Sequence, residues 1–166
     1  MPIQNPYTLG NAWFVDKVQY VNNANEEIES LHKAMPAKVA VVDKKFAEQV
    51  KPVTVSDSLR FVKLVAYEPN DLKYEVSSEK GGVVVFSEIY YPDGWHVTID
   101  GQPVELARAD YILRTMYVPA GQHTIEMRFD PTSLHVTEGI AYGALALLVI
   151  GIIVAVLIAK RKYVKA

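Results

Sequence analysis

Downstream of residue 52 the chain alternates apolar and polar positions with period two, and turn residues cut the alternation into short runs. Residues 59–67 are β-rich. Leu72, Tyr74 and Val76 alternate with Lys73, Glu75 and Ser77. The same holds for Trp95, Val97 and Ile99 against His96, Thr98 and Asp100, and for Ile125, Met127 and Phe129 against Thr124, Glu126 and Arg128. Successive strand side chains point to opposite faces, so each run predicts a strand with one buried face. Residues 83–86 are apolar without a break and predict a strand covered on both faces. Asp100-Gly101 predicts a tight hairpin with Val104 and Leu106 on the return strand. Residues 111–118 predict a further strand, Pro119-Ala120-Gly121 the turn after it, and Asp130-Pro131 the end of the last one. Short strands at this spacing argue for an antiparallel β-sandwich, a mainly β fold.

Upstream the pattern is different. Residues 5–14 mix turn formers with aromatics and read as irregular. A short helix follows, with Asn25 as N-cap, Glu26 and Glu27 in its first turn, and Ile28, Leu31 and Met35 on one face. Pro36 closes it. Residues 39–42 read as a short buried strand, and residues 43–49 as one more helical turn before Pro52.

The last apolar run is of another kind. Residues 139–159 carry no charge, and Lys160, Arg161 and Lys162 follow at once, with Lys165 close behind. At ~1.5 Å of rise per residue this run spans about 30 Å as a helix, the thickness of a bilayer's hydrocarbon core. It predicts one C-terminal transmembrane helix with lipid as its partner. Tyr142 and Tyr163 fall near its two ends, where amphipathic rings prefer to sit. Along the span Gly139, Gly143, Gly151, Ala155 and Ala159 recur every four residues, broken only by Leu147. Such a stripe of small residues lets helix backbones approach closely in lipid. The boundaries expected are an α/β segment over 1–52 packed on the sandwich, the sandwich over 53–132, and a connector over 133–138. The transmembrane helix over 139–159 and a basic tail over 160–166 complete the chain.

Charge sharpens this reading. All 19 acidic residues lie at or before Glu138, against 13 of the 17 basic ones, so the first 138 residues carry −6 and the tail +4. There is no electrostatic footprint for nucleic acid. The basic tail marks the cytoplasmic side, which sends the β-domain outward across the cytoplasmic membrane. Residues 1–15 do not read as a signal peptide. Either the chain is tail-anchored with its domain inside, or it is the C-terminal piece of a longer polytopic protein. No cysteine is present, so disulfides and thiolate metal sites are excluded.

Candidate chemistry is sparse. The chain has no Gly-x-Ser-x-Gly elbow and no glycine-rich phosphate loop. His32, His96, His123 and His135 lack metal-ligand spacing, and His96 is expected on a solvated strand face. Glu88 with Asp93, or Asp100 with Glu105, are the carboxylate pairs a glycosidase would need, yet nothing in the pattern places either pair across a cleft. No catalytic residue, metal or cofactor is assigned. One group of binding type remains: Tyr90, Tyr91 and Trp95 around the Pro92-Asp93-Gly94 turn. Flat rings near a turn stack on sugar C–H faces, although Trp95 heads the inward face with Val97 and Ile99 and reads first as core.

Residues 89–131 resemble the C-terminal outer domain of bacterial YfhO-like membrane proteins. The features that carry the likeness are the Tyr-Pro and Gly-Trp turn of residues 91–95, Asp100-Gly101, Arg108-Ala109-Asp110-Tyr111, the turn of residues 118–123, and Phe129-Asp130-Pro131. Residues 5–14 and 41–46 are similar to that family as well. The resemblance implies a large multi-spanning protein related to glycosyltransferases that use polyprenyl-phosphate-linked sugars, with the catalytic acid in an outer loop between N-terminal helices. No position in this chain matches that acid. The implied role is that of a non-catalytic outer β-domain and last helix, packed against other transmembrane helices of the parent, in lipid-linked sugar transfer to envelope glycopolymers. The alternatives are a stand-alone membrane-tethered carbohydrate-binding module, and a membrane scaffold or assembly protein working through its helix stripe.

Overall fold

The computed structural model describes residues 8–51 and 59–164, the last three without side chains. Residues 5–7, Pro52, Val53 and Lys165, which enter the readings above, lie outside the described residues. In chain order the elements are β1 (Ala12–Val15), β2 (Lys17–Val21), α1 (Ala24–Leu31), β3 (Val39–Asp43), β4 (Phe61–Glu68), β5 (Asp71–Ser78) and β6 (Gly82–Ile89). Then come β7 (Trp95–Ile99), β8 (Gln102–Val104), β9 (Ala107–Ala109), β10 (Leu113–Val118), β11 (Gly121–Phe129) and α2 (Thr132–Val164). The chain divides after Phe129 into two units.

The first unit is mainly β. One antiparallel sheet has the order β1-β6-β10-β9, and a second has the order β4-β5-β11-β7-β8. Leu72, Tyr74 and Val76 of β5, Val97 and Ile99 of β7, and Ile125 and Met127 of β11 meet Val84, Phe86, Met116 and Val118 from the other sheet in one core. The alternating positions of the sequence thus form the inner faces of a sandwich. β6 is apolar without alternation because both its faces are covered. Val84 and Phe86 enter the sandwich core, while Val83 and Val85 join a second core with Val15, Val18, Ala40, Val42 and Val50. That second core is roofed by a two-stranded parallel sheet, β2-β3. A parallel pair needs a crossover, and α1 supplies it.

At the predicted hairpin Ile99 pairs with Gln102, and Asp100 and Gly101 take φ values of +51° and +79°. This is the type I′ geometry that the Asp-Gly dipeptide favours. Asp100 Oδ1 also accepts the Thr124 N–H at 2.8 Å, tying the hairpin tip to the neighbouring strand.

Several local expectations are corrected. Residues 12–14, read as irregular, belong with Val15 to β1, because Phe14 and Trp13 face opposite cores once paired with β6. The cap of α1 is Asn23 rather than Asn25. Its side chain accepts the Glu26 N–H at 3.0 Å, and Glu26 Oε2 accepts the Asn22 N–H at 2.9 Å, a reciprocal cap that starts the helix earlier. The expected apolar face is not the buried one: Ile28 and Met35 are exposed, the helix ends at Leu31, and the buried helical residue is Glu27. Within residues 43–49 the helical part is a 3-10 turn, Lys44–Phe46, capped by Asp43. Leu106 lies beyond the return strand, which ends at Val104 before the chain crosses into β9. β10 begins only at Leu113, since Asp110 and Tyr111, at φ +50° and +71°, make the turn that precedes it.

The second unit is α2. The segment Thr132–Arg161 is long and apolar enough to cross a membrane, and none of its apolar window is buried. Residues 133–138 are helical and continuous with it.

Candidate functional site

Tyr90, Tyr91 and Trp95 line one cleft of about 290 Å³ together with Phe46, Gln49, Pro92, Val104, Glu105 and Leu106. The turn after β6 supplies the tyrosines, the 3-10 turn supplies Phe46, and the stretch between β8 and β9 supplies Glu105 and Leu106. Phe46 meets Tyr90 edge-on, with ring centroids 5.6 Å apart. Tyr90 is half-buried, and that burial pushes its hydroxyl pKa up. Tyr91 is exposed. Trp95 is half-buried, as its place on the inward register requires. The Arg114 guanidinium lies over its ring at 3.8 Å, and the Phe129 ring is 5.2 Å away. Two polar groups join the rings: Gln49 Nε2 donates to Glu105 Oε2 at 3.3 Å, while Gln49 Oε1 is buried with no hydrogen-bond partner among the described residues. An exposed ring beside an amide and a carboxylate offers a flat apolar platform with hydrogen-bonding groups at its edge, a chemistry suited to polyhydroxylated ligands.

A second group of ionisable residues was not anticipated. Glu27 is fully buried, and its carboxylate accepts from Arg108 Nη2 at 2.7 Å and from the Tyr111 N–H at 2.9 Å. Beside it Asp110 Oδ1 accepts the Val41 N–H at 2.8 Å, and the Asp110 N–H donates to the Val41 carbonyl at 2.8 Å. Asp110 Oδ2 and Arg108 Nε are buried without partners among the described residues. Burial, helped by the Glu27 charge and opposed by the Val41 bond, pushes the Asp110 carboxyl up to about 6. The network braces α1, β3 and the β9–β10 turn from inside. In the sequence only the Arg-Ala-Asp-Tyr run marked it.

The remaining candidates separate. Asp100 bonds His123 Nδ1 at 2.6 Å, and His123 Nε2 sits 3.2 Å from the Ala120 carbonyl. The Thr124 N–H and then His123 hold the Asp100 carboxyl below its usual range, and the bond to Asp100 raises the His123 pKa. Glu105 instead faces Gln49, so Asp100 and Glu105 serve different sites. Glu88 is half-buried near Tyr74, whose hydroxyl is pushed up to about 12 by burial first and by that carboxylate second. Asp93 acts on Tyr90. His96 is exposed, and His135 bonds Asp130 at 2.6 Å. Among the described residues no three His, Cys, Asp or Glu side chains are grouped to hold a metal ion.

The family described as "Bacterial membrane protein YfhO" matches residues 47–141, more than half of the chain. The chain belongs to the YfhO family. The match begins just after the 3-10 turn, takes in β4 through β11, and ends inside α2. It therefore includes Tyr90, Tyr91, Trp95 and the Arg108–Tyr111 run, and leaves out β1 to β3. No curated protein and no solved structure matches. Membership in a family of membrane proteins, together with a helix able to cross a bilayer, makes this YfhO chain membrane-associated. On its helix Gly139, Gly143, Gly151 and Ala155 are exposed, and a Cβ added at any of the three glycines meets nothing within 4 Å.

Proposed function

We propose that this chain is the outer β-domain and last helix of a polytopic YfhO protein, non-catalytic by itself. Its aromatic cleft holds a sugar, either of a lipid-linked donor or of an envelope glycan, during glycopolymer assembly. The single observation that supports this reading is the convergence of Tyr90, Tyr91 and Trp95 on one cleft with Gln49 and Glu105. Tyr91 carries the exposed platform, Tyr90 and Phe46 fix the wall, and the exposed Glu105 carboxylate is the acceptor for a sugar hydroxyl. Trp95 holds the wall from behind, because Arg114 already covers its ring.

Ligand-observed NMR with a panel of neutral and N-acetylated oligosaccharides on the full chain in nanodiscs tests this. Tyr91→Ala is expected to weaken binding by about tenfold, equivalent to ~1.4 kcal/mol. Binding that is equally strong in Tyr91→Ala would remove the cleft from the account. The placement of the domain outside the cytoplasmic membrane is read from Lys160 and Arg161, and protease accessibility in intact spheroplasts checks it. A second reading, assembly with other transmembrane helices, rests on the stripe of small residues Gly139, Gly143, Gly151 and Ala155 along the helix. Leucine at Gly143 and Gly151 is then expected to disperse the assembly on a detergent sizing column.

A further inference from the structure

We infer that the end of the β-sandwich carrying Tyr67, Ile89, Tyr91 and Ile112 is a lipid-contact rim that seats the domain on the bilayer surface. These four side chains are 65%, 67%, 52% and 49% exposed. The strand register gathers them at one end. Phe129, the last residue of β11, pairs with Trp95, and Asp71, beside the Tyr67–Leu72 pair, faces Arg128. The four-stranded sheet presents the same end. Arg114 stacks on Trp95 while its Nε donates to the Ile89 carbonyl at 3.0 Å, and the Tyr90 N–H donates to the Ile112 carbonyl at 2.7 Å. Turns at both ends are polar, built from Glu79 and Lys80, Asp100 and Gly101, and Gly121 and Gln122 at the opposite end, and from residues 68–71 and 92–94 at this one, among which the four apolar side chains project. Leu59 and Phe61 are exposed at the opposite end too.

A cluster of exposed apolar side chains marks a surface that another apolar phase covers. Chain length decides which phase. The part of α2 long and apolar enough to cross a membrane, with its polar ends, holds 30 residues, Thr132–Arg161. At ~1.5 Å per residue it is about 45 Å long, matching the ~40–45 Å of a bilayer with its headgroups. Thr132 therefore stands at the headgroup layer. Phe129 is three residues earlier, so it lies within about 10 Å of that layer even with the link fully extended. The rim residues share that end. Two tyrosines with two isoleucines also fit the interface, where amphipathic rings sit among headgroups and aliphatic side chains reach the acyl boundary. The inference does not rest on a sugar in the cleft, although Tyr91 belongs to both surfaces.

The chain has no native cysteine, so single spin labels report single positions. Nitroxides on Ile89→Cys and Ile112→Cys, with Lys80→Cys and Gln102→Cys as controls, are measured on the full chain in phosphatidylglycerol–phosphatidylethanolamine vesicles. Collision with oxygen relative to a water-soluble nickel complex is expected to be several-fold higher at 89 and 112 than at the controls. Equal ratios at all four positions overturn the proposal. Shielding that persists in lipid-free amphipol, or spin–spin broadening between copies, would identify a second protein copy as the occupant and overturn it as well. Ile112→Glu with the label at Ile89→Cys is expected to lower the oxygen preference, since the changed side chain is exposed and the core is untouched. An unchanged preference counts against lipid contact, whereas oligosaccharide binding measured on the same variants reports on the cleft alone.

Discussion

At the scale of single residues, Asp110 is the buried carboxyl whose ionisation the folded state opposes. An unfolded aspartate titrates near 3.9, and burial lifts this one to about 6. A carboxyl with a raised folded-state pKa binds its proton more tightly when folded, so its stabilising contribution is complete below about pH 4. That contribution is lost as pH rises toward and through about 6. At ~1.4 kcal/mol per pKa unit, the loss across this window is up to about 3 kcal/mol. Thermal unfolding of the chain in detergent, followed by near-ultraviolet circular dichroism, is expected to show this fall between pH 4 and 6. Asp110→Asn keeps an acceptor for the Val41 N–H and is expected to flatten the slope. A slope unchanged in Asp110→Asn would assign it to another group. None of this was legible in the sequence. Glu27 sits in the first turn of a helix, where an acidic residue ordinarily complements the helix dipole in solvent. Only its partner Arg108, 81 positions away, reveals it as buried. The aromatic group at 90–95 was legible because its members are neighbours in the chain. Phe46, Gln49 and Glu105, which complete the cleft, reach it only through tertiary folding.

Among the elements, turns were the most legible and the shortest strands the least. Asp100-Gly101 announces its hairpin, because a type I′ turn requires two left-handed residues and few dipeptides supply them. β1 and β9, of four and three residues, are too short to display a period, and their pairing to the four-stranded sheet defines them. Two glycines show how the same backbone conformation carries different weight in different surroundings. Gly101 and Gly81 have φ values of +79° and +72°. A Cβ on Gly101 meets open space, whereas one on Gly81 would lie 2.8 Å from the Val118 carbonyl oxygen and 3.0 Å from the Ala120 nitrogen. Gly101→Ala is therefore expected to cost about 1–2 kcal/mol from the left-handed backbone alone. Gly81→Ala should cost a further ~1–3 kcal/mol, because backbone atoms of the β10–β11 turn must move. Equal midpoints for the two variants in a denaturant titration would show that the turn yields freely.

For the whole molecule, the question is what the first 51 residues are to the rest. The sandwich does not close without them. β1 pairs with β6, and Phe14 fills the core between the two sheets. The outer face of the four-stranded sheet presents Val15, Val83, Val85, Ala107 and Ala109, which Val18, Ala40, Val42 and Val50 cover. Polar links repeat the pattern: Glu27 with Arg108, Val41 with Asp110, and Arg60 with both Asp16 and the Val15 carbonyl. Removing this layer would expose a fully apolar sheet face and leave Arg108 without its carboxylate, a loss larger than the marginal stability of a domain this size. A site-specific protease sequence placed between Lys51 and Leu59 puts this to a direct test. After cleavage the N-terminal fragment is expected to co-elute with the remainder on a detergent sizing column and to part from it only in denaturant. Its release under native conditions would mean that the layer merely rests on a sandwich complete without it. The Glu27–Asp110 network would then have to owe its burial to something other than the closing of the fold.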